Sequence, residues 1–193
     1  MKKWITLGIV GFVILILILW ARGGYNNLVS SEENLKKSWG NVESSYQRRT
    51  DLIPNLENTV KGYANFEKST LVEVTNARAA ATQIKVDAGD PASFKKFEAA
   101  QNAVGSSLSR LLVTVEKYPD LKANQNFMDF QRELAGTENR INVERRKYND
   151  AVQIYNTNLR RFPRNMLAGL FGFNQKPYFE AQAGAEKVPT VTF

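Results

Sequence analysis

The sequence predicts an all-α chain: an N-terminal transmembrane helix, then an antiparallel up-down four-helix bundle and a loose C-terminal tail. Three observations predict it. Residues 4–21 form an uncharged apolar run, apolar residues recur at alternating spacings of three and four from Leu28 to Phe162, and strand-like alternation is missing. The longest seam reads Phe127, Phe130, Leu134, Glu138, Ile141, Arg145, Tyr148, Val152, Tyr155, Leu159 and Phe162. Such regularity belongs to a long, coiled-coil-like helix packed against other helices. Gly136 costs roughly 1 kcal/mol relative to Ala, too little to end it.

The anchor comes first. Eighteen helical residues span about 27 Å, close to the roughly 30 Å hydrocarbon core. Trp4 and Trp20 sit at the two ends, where indole rings favour the interface, and Phe12 lies in the apolar block between them. A cleaved signal peptide is the competing reading. Leu19 is large where a small residue is expected before a cut after Ala21, and the run is long for a signal, so an uncleaved anchor is favoured. Lys2 and Lys3 precede the run, while Arg22, Lys36 and Lys37 follow it. The short basic leader reads as a signal anchor with the N-terminus cytoplasmic and the domain outside.

From Leu28 the seam continues in phase through Trp39, Tyr46, Arg49, Ile53, Leu56, Val60, Tyr63 and Glu67, across Pro54. A proline inside a helix costs about 3 kcal/mol, whereas in a first turn it costs little. With Thr50 or Asp51 as N-cap, one helix ends near Arg49 and a second runs from about Leu52 to Lys85; a single kinked helix is the alternative. The later segments match four helices better than one of 60 residues, which favours the break. Asp87-Ala88-Gly89-Asp90-Pro91 then supplies a stop, an N-cap and a first-turn proline. The third seam reads Phe94, Phe97, Gln101, Val104, Leu108, Leu111, Val115 and Tyr118 before Pro119; Asp120–Asn126 connects to the fourth.

The units are therefore 1–22, basic leader and anchor; 25–162, bundle; and 163–193, a short apolar segment and an extended tail, loose after Pro177. Four alternating helices bring Phe162 and that segment back to the membrane-proximal end. A long kinked helix would leave them at the far end.

Composition narrows the function. Cysteine and histidine are absent, which removes disulfides, thiol nucleophiles and imidazole ligands or bases. No Gly-rich phosphate loop is present. The charge is +7, and setting aside Lys2, Lys3 and Arg22 leaves +4, ordinary for a solvated helical surface and no sign of nucleic-acid binding.

Specific words in the chain carry a resemblance. Arg49-Thr50-Asp51-Leu52-Ile53-Pro54-Asn55-Leu56, Gly62-Tyr63-Ala64 with Glu67, Ala77-Arg78, Tyr118-Pro119-Asp120-Leu121-Lys122, Thr137-Glu138-Asn139-Arg140-Ile141 and the repeated Tyr-Asn before Phe162-Pro163 are similar to the LemA family, as is the ending Val188–Phe193. The resemblance covers essentially the whole chain. It implies a bacterial membrane protein with one N-terminal span and an antiparallel four-helix bundle, and no established enzymatic activity or catalytic residues. Some relatives are tied to the formation of magnetosome membranes, which implies a role in membrane organisation.

The remaining chemistry is polar residues on or beside the seams: Arg49, Glu67, Arg78, Glu138 and Arg145, with Asn149 and Asn156 one heptad apart. A structural polar core is the favoured reading: each carboxylate meets an arginine and fixes helix register, and the asparagines cap or bridge backbone groups. A ligand pocket with tyrosine donors is the other. Arg160, Arg161 and Arg164, with Leu170 and Phe171, are expected near lipid headgroups. The sequence thus suggests a non-enzymatic scaffold of the bacterial inner membrane, needing no cofactor or metal, with the bilayer, further copies of itself and envelope proteins as partners. The alternative is a ligand-sensing or substrate-binding module using the polar core. On the buried-network reading, Glu138→Ala alone costs roughly 3–5 kcal/mol by stranding an arginine.

Overall fold

The computed structural model describes residues 2–63, 66–86 and 89–180, whose regular structure is all helical with no strand among them. Ala64, Asp87, Ala88 and the ending Val188–Phe193 lie outside the described residues.

α1 (Lys2–Lys61) is one helix of 60 residues, about 90 Å long. Its apolar stretch has a mean hydropathy of 2.6, and none of that stretch is buried against the rest of the chain. It is long and apolar enough to cross a membrane, with Trp4, Phe12 and Trp20 all exposed along it.

The break expected at Pro54 is not there. α1 runs through the proline to Lys61, and the next helix, α2 (Lys68–Gln83), begins only at Lys68. Thr50 caps nothing: it is buried, and its hydroxyl donates to the Tyr46 carbonyl one turn back at 3.0 Å. Asp51 accepts from Gln47 Nε2 at 2.7 Å along the same helix. Ile53 and Leu56, on either side of the proline, are fully buried. Each contributes about 1.5–3 kcal/mol, enough together to offset the proline's cost of about 3 kcal/mol.

α3 (Pro91–Val115) starts where the punctuation predicts, with the Asp90 carboxylate accepting from the Ala92 and Ser93 amides at 3.1 and 3.0 Å. The connection to the last long helix holds one extra turn, α4 (Pro119–Lys122). α5 (Gln125–Arg160) is capped by Asn124, which accepts from the Phe127 amide at 3.2 Å, and it passes through Gly136 unbroken. α6 (Arg164–Leu170) follows.

α1 packs most extensively on α5, and α2 on α3. Residue numbers fall on α5 as they rise on α1. Ser31 meets Asn158, Arg49 meets Glu138, and the Tyr63 hydroxyl accepts from Asn124 at 3.1 Å. The end of α5 and α6 therefore return beside Gly24, next to the apolar stretch.

Nor is the tail loose after Pro177 as far as Glu180. Gly172 (φ +73°) lets the chain reverse out of α6, and the Phe173 amide donates to the Ala168 carbonyl at 3.0 Å. Residues 173–180 then run as an extended strap along α5 that ends with Phe179 buried.

Two apolar clusters result. One gathers Ile53, Leu56, Leu108, Leu111, Phe127 and Leu134; the other Leu28, Trp39, Phe94, Tyr148, Tyr155 and Phe179. Between them, Arg49, Gln101 and Thr137 form a buried polar layer. With Pro54 inside an intact helix, Pro54→Ala should restore an amide to the Thr50 carbonyl and raise stability by about 1–3 kcal/mol at unchanged helicity. Chemical denaturation in detergent followed by circular dichroism checks this; a loss of stability would place a helix boundary at the proline.

Candidate functional site

The polar layer is built by one arginine. On the seam of α1, Arg49 is 3% exposed and reaches two other helices. Its Nη1 donates to Glu138 Oε1 on α5 at 3.0 Å, and its Nη2 donates to the Gln101 carbonyl and to Gln101 Oε1 on α3 at 2.7 and 2.6 Å. The guanidinium also stacks over the Tyr46 ring, 5.1 Å from its centroid. Nε alone has no hydrogen-bond partner. Glu138 is not fully buried; its side chain is 40% exposed, and Thr137 takes the inward position beside it.

This ion pair floors a groove of about 760 Å³ between α3 and α5. Small and polar residues of α3 (Asn102, Gly105, Ser106, Ser109) line one wall, and Gln131 and Ala135 of α5 line the other. Among the described residues no group of His, Cys, Asp or Glu is arranged to hold a metal ion.

Arg145 belongs to a second polar set and does not meet Glu138. It donates to Glu98 Oε1 at 2.8 Å and to the Glu180 carbonyl at 2.9 Å, and it lies 4.6 Å from the centroid of the Phe179 ring. Burial raises the Glu98 carboxyl above its ordinary value against the pull of Arg145. Burial likewise lifts the Tyr46 hydroxyl, with Arg145 and Arg49 opposing.

Asn149 and Asn156 bind the strap. The Asn149 amide exchanges two hydrogen bonds with the Phe179 backbone at 3.0 and 2.9 Å, and Asn156 does the same with Lys176 at 3.0 Å each. Seven helical residues rise about 10.5 Å and three extended residues about 10 Å, so the heptad of asparagines matches the strap's repeat. Phe179 closes the site, packed among Trp39, Phe94 and Tyr148.

Other expected members lie elsewhere. Glu67 is exposed at the start of α2, accepting from Ser69 Oγ at 2.7 Å, because the chain turns before it instead of carrying it along α1. Arg78 is half-buried with its Nε unpartnered, and it pairs with no carboxylate among the described residues. Arg160 and Arg161 are exposed, whereas Arg164 donates to Asn27 Oδ1 at 3.1 Å and Asn158 Oδ1 at 3.4 Å. Leu170 and Phe171 are exposed. Sequence reasoning missed Gln101 and Glu98 as partners. The signal for Gln101 was a lone amide on the otherwise apolar seam of α3; nothing marked Glu98.

Two outcomes follow. Glu138→Ala should cost about 1–3 kcal/mol, less than full burial implies, since Glu138 is partly in water and Gln101 still holds Arg49. Denaturant melts measure this. Tyr155 has its hydroxyl buried without a partner, and burial pushes it up to about 12. Its native value exceeds the unfolded value near 10, so its neutral form favours folding below pH 10, and that stability drains away as pH rises to 12. Tyr155→Phe should therefore add about 1 kcal/mol at neutral pH and delay alkaline unfolding, read by a pH series of melts.

A model of the LemA family matches residues 38–193. Magnetosome protein MamQ 2 of Paramagnetospirillum magneticum is 26% identical over 206 residues, covering 97% of this chain and 74% of its own length. Magnetosome protein MamQ of Magnetospirillum gryphiswaldense is 25% identical over the same shares. Protein LemA of Metamycoplasma hominis is 26% identical over 177 residues, 92% of this chain and 75% of its own. None of these names denotes an enzyme.

Proposed function

The chain belongs to the LemA family, and on that premise we propose that it is a membrane-anchored, non-enzymatic helical scaffold of the bacterial envelope. One observation carries the reading: α1 passes from its free apolar stretch into the packed domain with no linker. A continuous helix transmits orientation, so the domain is held upright at a fixed height over the bilayer instead of swinging on a tether. We take the domain to be an antiparallel four-helix bundle of α1 beyond Gly24 with α2, α3 and α5; the opposed numbering of α1 and α5 and the return of α6 to Gly24 support this. Self-association and recruitment of envelope partners would use its exterior. The basic leader supports an inner-membrane signal anchor with the domain outside the cytoplasm. The magnetosome names of the MamQ proteins support a part in organising membrane.

The groove over Arg49 and Glu138 favours a second reading, a polar-ligand module, because it is open, lined by hydrogen-bonding side chains and floored by an arginine with an unpartnered Nε.

Light scattering of the full-length protein in nanodiscs tests the first reading. A scaffold should give assemblies of several 21.8 kDa chains at micromolar concentration. A strict monomer that retains a copurifying small molecule, lost on Arg49→Met, would replace the scaffold with the ligand module.

A further inference from the structure

α6 is seated at a defined height on the stem. Gly24 lies four residues past Trp20, about 6 Å along the helix axis. A Cβ there would come within 2.7 Å of Leu167 Cδ1, so the missing side chain leaves room for α6 to lie directly on α1. Leu167 and Ala168 are buried in this joint, and the Tyr25 ring meets Phe171 and Phe173 edge-on at 4.9 and 5.8 Å. Arg164 adds its bonds to Asn27 and Asn158.

Among the described residues, none covers the other side of α6. Phe162, Met166 and Leu170 recur every four residues and are 81, 67 and 77% exposed. Outside the apolar stretch of α1, few large apolar side chains are so open. Charge around the joint has one sign: residues 21–31 and 160–173 hold Arg22, Arg160, Arg161 and Arg164 and no carboxylate. Trp20 marks the edge of the hydrocarbon, and the headgroup layer extends roughly 5–8 Å beyond it. α6 is thus at headgroup height, where an apolar face flanked by arginines binds a bilayer surface.

We propose that α6 with Phe162 is a second membrane contact. It lies in the headgroup layer of the leaflet from which α1 emerges, with Phe162, Met166 and Leu170 at the acyl boundary and Arg160 and Arg161 against anionic lipid phosphates. With the span it gives the domain two points of attachment, which restrains its tilt relative to the membrane plane. The inference rests on reading α1 as a span.

The chain has no cysteine, so single labels are clean. Full-length Met166→Cys, Leu170→Cys, Val113→Cys and Phe12→Cys carrying a small fluorophore would be reconstituted in phosphatidylcholine vesicles with and without phosphatidylglycerol, containing lipid-borne nitroxide quenchers. Val113 is the control, 69% exposed on α3. Labels at 166 and 170 should be quenched several-fold more than at 113 by a shallow nitroxide, and the label at 12 by a deep one. Arg160→Gln with Arg161→Gln should reduce the quenching at 170 in anionic vesicles. Quenching at 12 with none at 170 overturns the second contact and leaves the span intact. Absence of quenching at 12 removes the span and this proposal together. Efficient disulfide pairing of Leu170→Cys between copies, without quenching, would show that a second copy covers the face and also overturns it.

Discussion

Arg49 is the constraint on which the packing of this domain depends. Removing a guanidinium from water costs several kcal/mol unless its donors are met, and here α5 meets Nη1 and α3 meets Nη2, with only Nε left over. Apolar seams tolerate sliding by a heptad, but this one does not. A slip of seven along α5 would bring Arg49 against Gln131, with no counter-charge, or against Arg145, of like charge. The polar layer therefore sets the register of the two longest helices and ties α3 to them. It also divides the core, with one apolar cluster on each side.

Helix lengths account for the strap. α1 beyond Gly24 and α5, at 36 residues, are well matched, whereas α3 has 25 residues and α2 only 16. The shorter pair cannot cover the whole of the longer pair. At the end near the apolar stretch, Leu28, Leu35, Tyr155 and Leu159 would face water without another partner, yet all are buried. α6 and residues 173–180 take the place of the missing helical turns. An extended segment has no internal hydrogen bonds, so its backbone needs partners from outside, and Asn149 and Asn156 supply them.

How much of this could be read from the sequence follows the same physics. The seams, the apolar run and the Asp90-Pro91 helix start are local patterns, and they were legible. The helix boundary near Pro54 was misplaced because a local penalty was weighed without its long-range compensation. The in-phase seam from Arg49 through Ile53 and Leu56 was the better signal, since a helix that buries the apolar residues before and after the proline can retain it. From that misplacement followed the error over Glu67, carried into a seam that in fact ends at a turn. Asn149 and Asn156 stood out by their spacing, but their partner did not, because an extended strap leaves no helical period in the tail. Arg145 was legible as inward-facing, and its partner was not. Glu98 flanks an apolar seam, as many solvated glutamates do, and only the packing of α3 on α5 brings it within 2.8 Å.

The open groove beside Arg49 follows from the same requirement. A fully buried ion pair pays desolvation on both members, while a pair with its carboxylate partly in water pays mainly on one. Glu138, 40% exposed, keeps that access through the groove. Gly105, Ser106, Ser109 and Ala135 are small enough to leave the path open, and larger apolar residues there would seal Glu138 into the core. Hydration of the counter-ion is thus sufficient reason for the groove to exist. A bound ligand is not needed to explain it, which weighs the arrangement toward a structural part and leaves the exterior of the domain, with the exposed apolar side of α6 beside the apolar stretch of α1, as the surface on which function is to be sought.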